Sequence, residues 1–571
     1  MKKLVFVFSL LFISFTLQAQ DNLISSEVKE HIKARIETKT DVAIAMGFID
    51  GDAVEYYSAG QTALENGTDV DEHSVFEIGS ISKTFTTVLL SQKIIAGEMS
   101  LEDPISKYLP STVKTPARNG KNITILDLAT HTSALPRMPN NFTPKNPNNP
   151  FVDYTYEQLY DFLSNHELNR DIGVQYEYSN LGMGLLGHIL ELQSGKTFEQ
   201  LLIDNIAKPL GMNDTAIALN ESMKKRLAKG HDGLAEVENW DIITMAGAGG
   251  IRSTVSDMVK YIQANMGVTK SSFYNAMQLS HESAYKNKEN NYEIGLAWHY
   301  ENDKEVIWHN GRTGGYSSFA GFVPKTNKGV VILTNNTADI GALSFRSLGG
   351  PTPLVAPKKS IVTLLKKEIQ TSGIDSAIAL YMSEKSNAAT EYNFNEQALN
   401  TLGYELLNGE ALDDALAIFK LNVNMYPNAS NPYDSLGEAY LAKGDSVLAK
   451  KNYEKSLELN PANTNAVSVL ESMGVKNVVK EVVIPQDVLD TYVGKYELAP
   501  GFIITVTRKE NQMFAQATGQ SQFEIFASAQ NKFYLKVVEA NVEFNVDESG
   551  EVTSMTLYQG GQVLPGKKLD E

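Results

Sequence analysis

The chain contains no cysteine, which excludes disulfides, thiolate metal sites and a lipid-modified cysteine behind a leader. Its nine histidines are few and scattered, so no metal centre is expected, and no motif calls for a cofactor. No apolar run reaches the roughly 20 residues that a membrane-spanning helix needs. Positive charge is also scarce: 50 Lys and Arg against 68 Asp and Glu leave a formal net charge of −18. That balance argues against nucleic acid or an anionic membrane surface as the main partner.

The N-terminus opens with Lys2 and Lys3, continues with an apolar run over 4–17 and closes on Gln18-Ala19-Gln20. A positive start, a short apolar run and a small-residue cleavage site predict a secretory signal over 1–19, and so a periplasmic or secreted protein. The 571 residues exceed one ordinary domain, which points to two or more.

Three stretches carry chemistry. The first is 76–85, with Ser80 and Lys83 three residues apart at the start of an apolar helical pattern. That spacing puts both side chains on one helix face. A nearby amine held out of water can take the proton of a serine hydroxyl and turn it into a nucleophile. The second is Tyr176-Glu177-Tyr178-Ser179-Asn180-Leu181-Gly182, a polar elbow leading into an apolar helix over 183–192. The third is Trp308-His309-Asn310-Gly311-Arg312-Thr313-Gly314-Gly315-Tyr316, a strand end followed by a glycine-rich turn.

Ser-x-x-Lys, then Tyr-x-Asn, then His-x-Gly, in this order, resembles the penicillin-binding and β-lactamase-related serine hydrolases. The resemblance is to the branch that holds class C β-lactamases, D-Ala-D-Ala carboxypeptidases, D-aminopeptidases and esterases. It extends over about 27–335, and the segments 123–133 and 246–257 agree with it. It implies an α/β (α+β) three-layer domain with a central antiparallel sheet. It also implies roles: Ser80 as acyl-enzyme nucleophile, Lys83 and Tyr178 sharing the base, and Asn180 bonding Lys83 and the substrate amide. The backbone N–H groups of Ser80 and Arg312 would form an oxyanion hole, with Gly311 and Arg312 on the substrate strand. A Tyr near two cations can have its pKa lowered enough to act as base. His309 stands where β-lactamases of this branch carry Lys. A histidine that is neutral at pH 7 holds a substrate carboxylate poorly, so a peptidase or esterase is favoured over a β-lactamase. The Arg312 side chain is a candidate for the missing carboxylate contact. His131 and His188 are read as structural, and the Pro- and Asn-rich loop at 136–150 as a wall of the substrate cleft.

The expected domains are the hydrolase at 21–345, a linker and helix at 346–393, a helical repeat at 394–475 and a small all-β barrel-like domain at 485–571. In the first, helices are expected over 27–38, 154–165, 197–206 and 253–266, and strands over 42–48, 53–59, 292–300, 305–309, 317–323 and 329–334. In the repeat, Leu402-Gly403, Ala415, Phe419 and Pro427 recur 34 residues later as Leu436-Gly437, Ala449, Tyr453 and Pro461. That period with small residues, an aromatic and a closing proline is the tetratricopeptide signature, and it suggests a protein partner. From 485 the period changes to two, with strands expected over 489–496, 503–508, 512–517, 523–527, 532–538, 542–546 and 552–558. This part resembles the lipocalin-like C-terminal domain of some such hydrolases. Residues 547–550 read as a hairpin turn rather than a calcium loop. The leading reading is a serine hydrolase of D-amino-acid peptides or amides, peptidoglycan-like stems or small esters. The alternatives are a β-lactamase, and a partner-binding or sensor protein that uses the hydrolase fold as a receptor.

Overall fold

The computed structural model describes residues 22–569, apart from 288–291, 302–304, 462, 476–481, 483, 500–501, 519–521, 536–537, 539, 548–549 and 560–561. The signal expected at 1–19 lies outside the described residues. In chain order, the first unit contains α1 (Ser26–Glu37), β1 (Ala43–Asp50), β2 (Ala53–Gly60), α2 (Ser82–Ile95), α3 (Asn180–Ser194) and α4 (Val255–Met266). It continues with β3 (Tyr285–Lys286), β4 (Glu293–Ile294), β5 (His299–Glu301), β6 (Val306–Arg312), β7 (Ser317–Val323), β8 (Lys328–Thr334) and α5 (Gly341–Ser347).

These strands form one sheet in the order β2-β1-β8-β7-β6-β5-β4-β3, with every pair antiparallel. Alternation along each strand splits the side chains between two cores. Ala45, Ile307, Ala320, Val331 and Leu333 face the larger core under α2, α3 and α4. Met46, Val306, Phe319 and Ile332 face a second core closed by Ile32 of α1 and Leu343 of α5. The central sheet is therefore covered on both faces, as the three-layer expectation required. Thr254 caps α4 by accepting from the Asp257 N–H, while Ser253 lies in a short strand pair, Val75–Glu77 with Arg252–Thr254.

One strand is corrected here. Residues 292–300 do not run as a single strand, because Leu296-Ala297-Trp298 is buried without alternation and folds back between β4 and β5. Its backbone bonds elsewhere: Leu296 N–H to Ser280 O, Ala297 N–H to Ala129 O, and Leu296 O accepts from Thr87 Oγ1. Once those groups are satisfied by α2 and its neighbours, a continuous ladder has nothing to offer.

The next unit is helical: α6 (Ile361–Ser372), α7 (Ile374–Ser386), α8 (Glu396–Asn408), α9 (Leu412–Met425), α10 (Ser430–Ala442), α11 (Ser446–Leu459) and α12 (Thr464–Ser472). The pair α8/α9 is followed by α10/α11 at a shift of 34 residues. In each pair an aromatic ring covers a glycine: a Cβ on Gly403 would lie 2.5 Å from Phe419, and one on Gly437 3.1 Å from Tyr453. The second helix of the preceding hairpin, α7, was not expected. Ile361, Leu365, Ala377 and Tyr381 of this hairpin bury the outer face of α8 and α9 through Leu399, Leu402 and Ile418.

The C-terminal unit is α13 (Gln486–Tyr492) followed by β9 (Gly494–Ala499), β10 (Phe502–Lys509), β11 (Gln512–Ala517), β12 (Gln522–Ala529), β13 (Lys532–Leu535), β14 (Ala540–Val546), β15 (Val552–Gln559) and β16 (Gln562–Lys568). The eight strands close into a barrel. The strand expected over 489–496 is corrected to a helix that ends before β9 starts. Pro485 opens it, and Leu489 and Tyr492, three apart, share the face that packs into the barrel. The last strand, β16, was not expected. Tyr496, Met513, Phe533, Phe544 and Met555 are buried together as the barrel's core. At 547–550 the described residues make the expected turn, with Asp547 N–H bonded to Glu551 O.

Candidate active site

Ser80 sits in a single 3-10 turn, Gly79–Ile81, at the head of α2. N–H groups in a first helical turn lack intrahelical acceptors, so the turn presents the Ser80 amide together with the positive end of the helix. Gly79 makes the approach possible: its φ is +49°, and a Cβ there would lie 2.9 Å from Arg312 N. That close pass sets the backbone of β6 against the backbone of the Ser80 turn.

Lys83, on the next turn, is fully buried. Its amine lies 2.8 Å from Ser80 Oγ and donates to Asn180 Oδ1 at 2.9 Å and to Ala248 O at 2.7 Å. Among the described residues no carboxylate neutralises it. Burial therefore pushes its pKa well below the usual lysine value, and the charge of Arg137 pushes it further. A neutral amine fits these partners: it donates to Asn180 and Ala248 and accepts from the Ser80 hydroxyl with its lone pair.

Tyr178 lies between the other groups. Its hydroxyl hydrogen-bonds with Ser80, and its ring centroid is 4.7 Å from Lys83 Nζ and 5.1 Å from the Arg137 guanidinium. The expectation of a lowered Tyr178 pKa is corrected. Burial raises it, outweighing the hydrogen bond with Ser80 and the nearby cation, so the phenol keeps its proton at rest. Among the Ser80 partners it is Lys83 that is poised to accept a proton.

Asn180 opens α3, where Ser179 caps the helix through Gly182 N–H and the Arg137 carbonyl accepts from Asn180 and Leu181 N–H. His131 Nδ1 accepts from Ser179 N–H at 3.1 Å, and its ring lies 4.6 Å from that of Tyr178. It supports the Tyr178 elbow, in keeping with a structural role. His188 bonds Tyr160 and Glu191 at 2.6 and 2.9 Å, also structural.

On β6, His309 is buried, with Nδ1 on the Asn310 carbonyl at 2.5 Å. Burial lowers its pKa far below the usual value, helped by His299 and Lys83, so it is a neutral imidazole. β5 pairs with β6 only from Val306 to Trp308, so the edge of β6 is open beyond that residue. Thr313 N–H bonds Tyr316 O on the β7 side. By alternation the N–H and C=O of Arg312 point to the open edge, beside Gly79 and Ser80. Its side chain leaves on the face of Trp308 and Asn310, opposite His309 and Gly311. The close pass at Gly79 thus brings the Arg312 amide against the backbone of the Ser80 turn.

The sequence motifs missed Arg137, Met138 and the Ala248 carbonyl. Arg137 lies within Leu135-Pro136-Arg137-Met138-Pro139, where the prolines announced only an irregular loop, which the structure has at 136–150. Met138 Sδ is 3.8 Å from Asn180 Nδ2. That loop is tied across to 237–245: Asn149 and Asp241 exchange two hydrogen bonds, and Phe151 packs on Trp240.

Residues 28–344 match the family model described as Beta-lactamase. The chain belongs to the β-lactamase family. One relative, the D-alanyl-D-alanine-carboxypeptidase/endopeptidase AmpH of Escherichia coli K12, is 32% identical over 340 residues, 55% of this chain and 86% of that protein. A β-lactamase of the same strain is 27% identical over 350 residues, 55% of this chain and 89% of its own. Among solved structures, a β-lactamase/D-alanine carboxypeptidase from Yersinia pestis complexed with citrate is 26% identical, with a TM-score of 0.51. It aligns with 58% of this chain and 97% of its own. This β-lactamase family member is accordingly a serine hydrolase. Residues 480–568, the barrel, match a separate domain of unknown function, DUF3471.

Proposed function

We propose that the protein is an exported serine hydrolase that acts through a Ser80 acyl-enzyme on D-amino-acid peptides or amides, or on small esters. One observation carries the reading: a buried lysine amine with no carboxylate partner among the described residues, 2.8 Å from Ser80 Oγ. Neutral Lys83 takes the Ser80 proton as Oγ attacks the carbonyl carbon. The developing oxyanion is held by the N–H groups of Ser80 and Arg312. The bond to the leaving group breaks as that group takes the proton back from Lys83 through the Tyr178 hydroxyl, and water then releases the acyl group by the reverse path. Asn180 orients Lys83 and the substrate amide, and the open edge of β6 at Gly311 and Arg312 receives the substrate backbone. The preference for peptides is supported by the carboxypeptidase/endopeptidase name of the 32% identical relative. Export is supported by the pattern at 1–19.

Several relatives are named β-lactamases, which keeps β-lactam hydrolysis as the second reading. His309 speaks against it, because a buried neutral imidazole cannot hold a β-lactam carboxylate as an ammonium would. The test is turnover of D-alanyl p-nitroanilide, p-nitrophenyl acetate and nitrocefin by wild type and Ser80→Ala. Cleavage of the first two that needs Ser80 supports the proposal. Efficient nitrocefin turnover alone would favour the second reading, and turnover that survives Ser80→Ala would remove the nucleophile.

We read the helical pairs as tetratricopeptide repeats that hold a protein partner. Deleting 394–475 should then leave ester hydrolysis in place and abolish complex formation with that partner. Loss of hydrolysis together with unfolding would make the segment a structural support instead.

A further inference from the structure

The chain has nine arginines, and in seven the guanidinium is ion-paired with a carboxylate. Among the described residues the two exceptions are Arg137 and Arg312, and both are next to the Ser80 turn. In a chain with a net charge of −18, acidic partners are not in short supply, so the pairing is missing where a ligand would otherwise have to displace it. The two arginines differ in orientation. Arg312 brings its backbone to the site and sends its side chain to the other face of the sheet. Arg137 sends its side chain to the site: it is exposed, with its guanidinium 5.1 Å from the centre of the Tyr178 ring. Its backbone is fixed there as well, because its carbonyl accepts from the first two N–H groups of α3.

The position relative to Tyr178 decides which part of a substrate Arg137 meets. The proton taken from Ser80 must end on the leaving atom, so the leaving group lies beside the Lys83–Tyr178 pair that delivers it. We propose that Arg137 is a specificity-determining residue that binds a carboxylate on the leaving-group side of the substrate. This rests on Ser80 being the nucleophile, and it narrows the substrate class to acyl compounds whose leaving group is an amino acid with a free carboxylate or another acid of similar reach. His309 is buried and neutral and leaves that task open, while a guanidinium offers a carboxylate two parallel donors.

The test compares two aryl esters that differ only in leaving-group charge, meta-acetoxybenzoate and its methyl ester. The readout is the ratio of their kcat/KM values. Any effect of Arg137 on the basicity of Lys83 acts on both esters and cancels in the ratio. Wild type should prefer the carboxylate by about tenfold. Arg137→Met should bring the ratio near one, and Arg137→Lys should keep part of the preference. No preference in wild type, or a ratio unchanged in Arg137→Met, would overturn the proposal. A parallel pair, a peptide ending in D-alanyl-D-alanine as free acid and as amide, separates the two readings. If the esters show the ratio but neither peptide is cleaved, the peptide reading fails and the Arg137 assignment stands. If the free acid and the amide are cleaved equally well, the assignment fails and the peptide reading stands.

Discussion

Gly311→Ala should disable the enzyme without unfolding it. A Cβ at Gly311 would lie 2.1 Å from Ile78 O, 2.4 Å from Ser318 Oγ and 3.0 Å from Ile78 C. The first two atoms are already joined, since Ser318 Oγ donates to Ile78 O at 2.8 Å, so the methyl group would intrude on an existing hydrogen bond. None of these atoms is the end of a long flexible chain. To restore ordinary contact β6 must retreat from the Ile78–Ser80 turn by about 1 Å. The next residue is Arg312, whose N–H is one of the two oxyanion donors, and it would retreat with the strand. A misplacement of that size costs about a hundredfold in rate, comparable to deleting one oxyanion donor, or about 2.7 kcal/mol of transition-state stabilisation. The overpacking should lower stability by about 1–3 kcal/mol, leaving a folded protein. Steady-state hydrolysis of p-nitrophenyl acetate and a thermal melt on the same sample measure both effects. A folded variant with kcat/KM within threefold of wild type would refute the placement of Arg312 N–H in the site.

Other predictions concern the proton path and backbone strain. Because Lys83 must be neutral to act, kcat/KM should rise with pH through its depressed pKa and level off well below the ordinary lysine range, which a pH–rate profile checks. Between that depressed value and 10.5 the unfolded chain binds the Lys83 proton and the folded chain does not, so stability rises with pH across this window. Lys83→Met should remove that slope in denaturant titrations at several pH values. Tyr178→Phe should lower the plateau rate by about 10²–10³ while leaving the acid limb in place, since the limb belongs to Lys83 and the phenol is protonated throughout. A limb that moves instead would return the base role to Tyr178. Ala134 holds φ +63°, so Ala134→Gly should stabilise the fold by about 0.5–1 kcal/mol with unchanged activity, read as a rise in Tm.

What could be read in the sequence follows from how local each signal is. Ser80 and Lys83 lie on one helix, and Asp50-Gly51 closes a tight hairpin, so a few adjacent residues decide each feature. The closed barrel could be anticipated from alternation, but α13 could not, because Val488, Leu489 and Tyr492 suit a strand as well as a helix until Pro485 and the barrel's open end select the helix. The break at Leu296-Ala297-Trp298 depends on bonds to Ser280, Ala129 and Thr87, which no local pattern reveals. Tyr178 shows the same limit in electrostatics: nearby cations suggested an acidic phenol, whereas burial decides the outcome. Arg137 escaped notice because its significance lies in a partner it lacks, and that can be seen only when the other arginines are seen paired.

The most direct test of the whole account is intact-mass analysis of the protein mixed with a fluorescent penicillin, followed by peptide mapping, for wild type and Ser80→Ala. The account predicts one covalent adduct on wild type, located on the peptide that carries Ser80, and none on Ser80→Ala. An adduct that persists in Ser80→Ala, or that maps to any other residue, would contradict it.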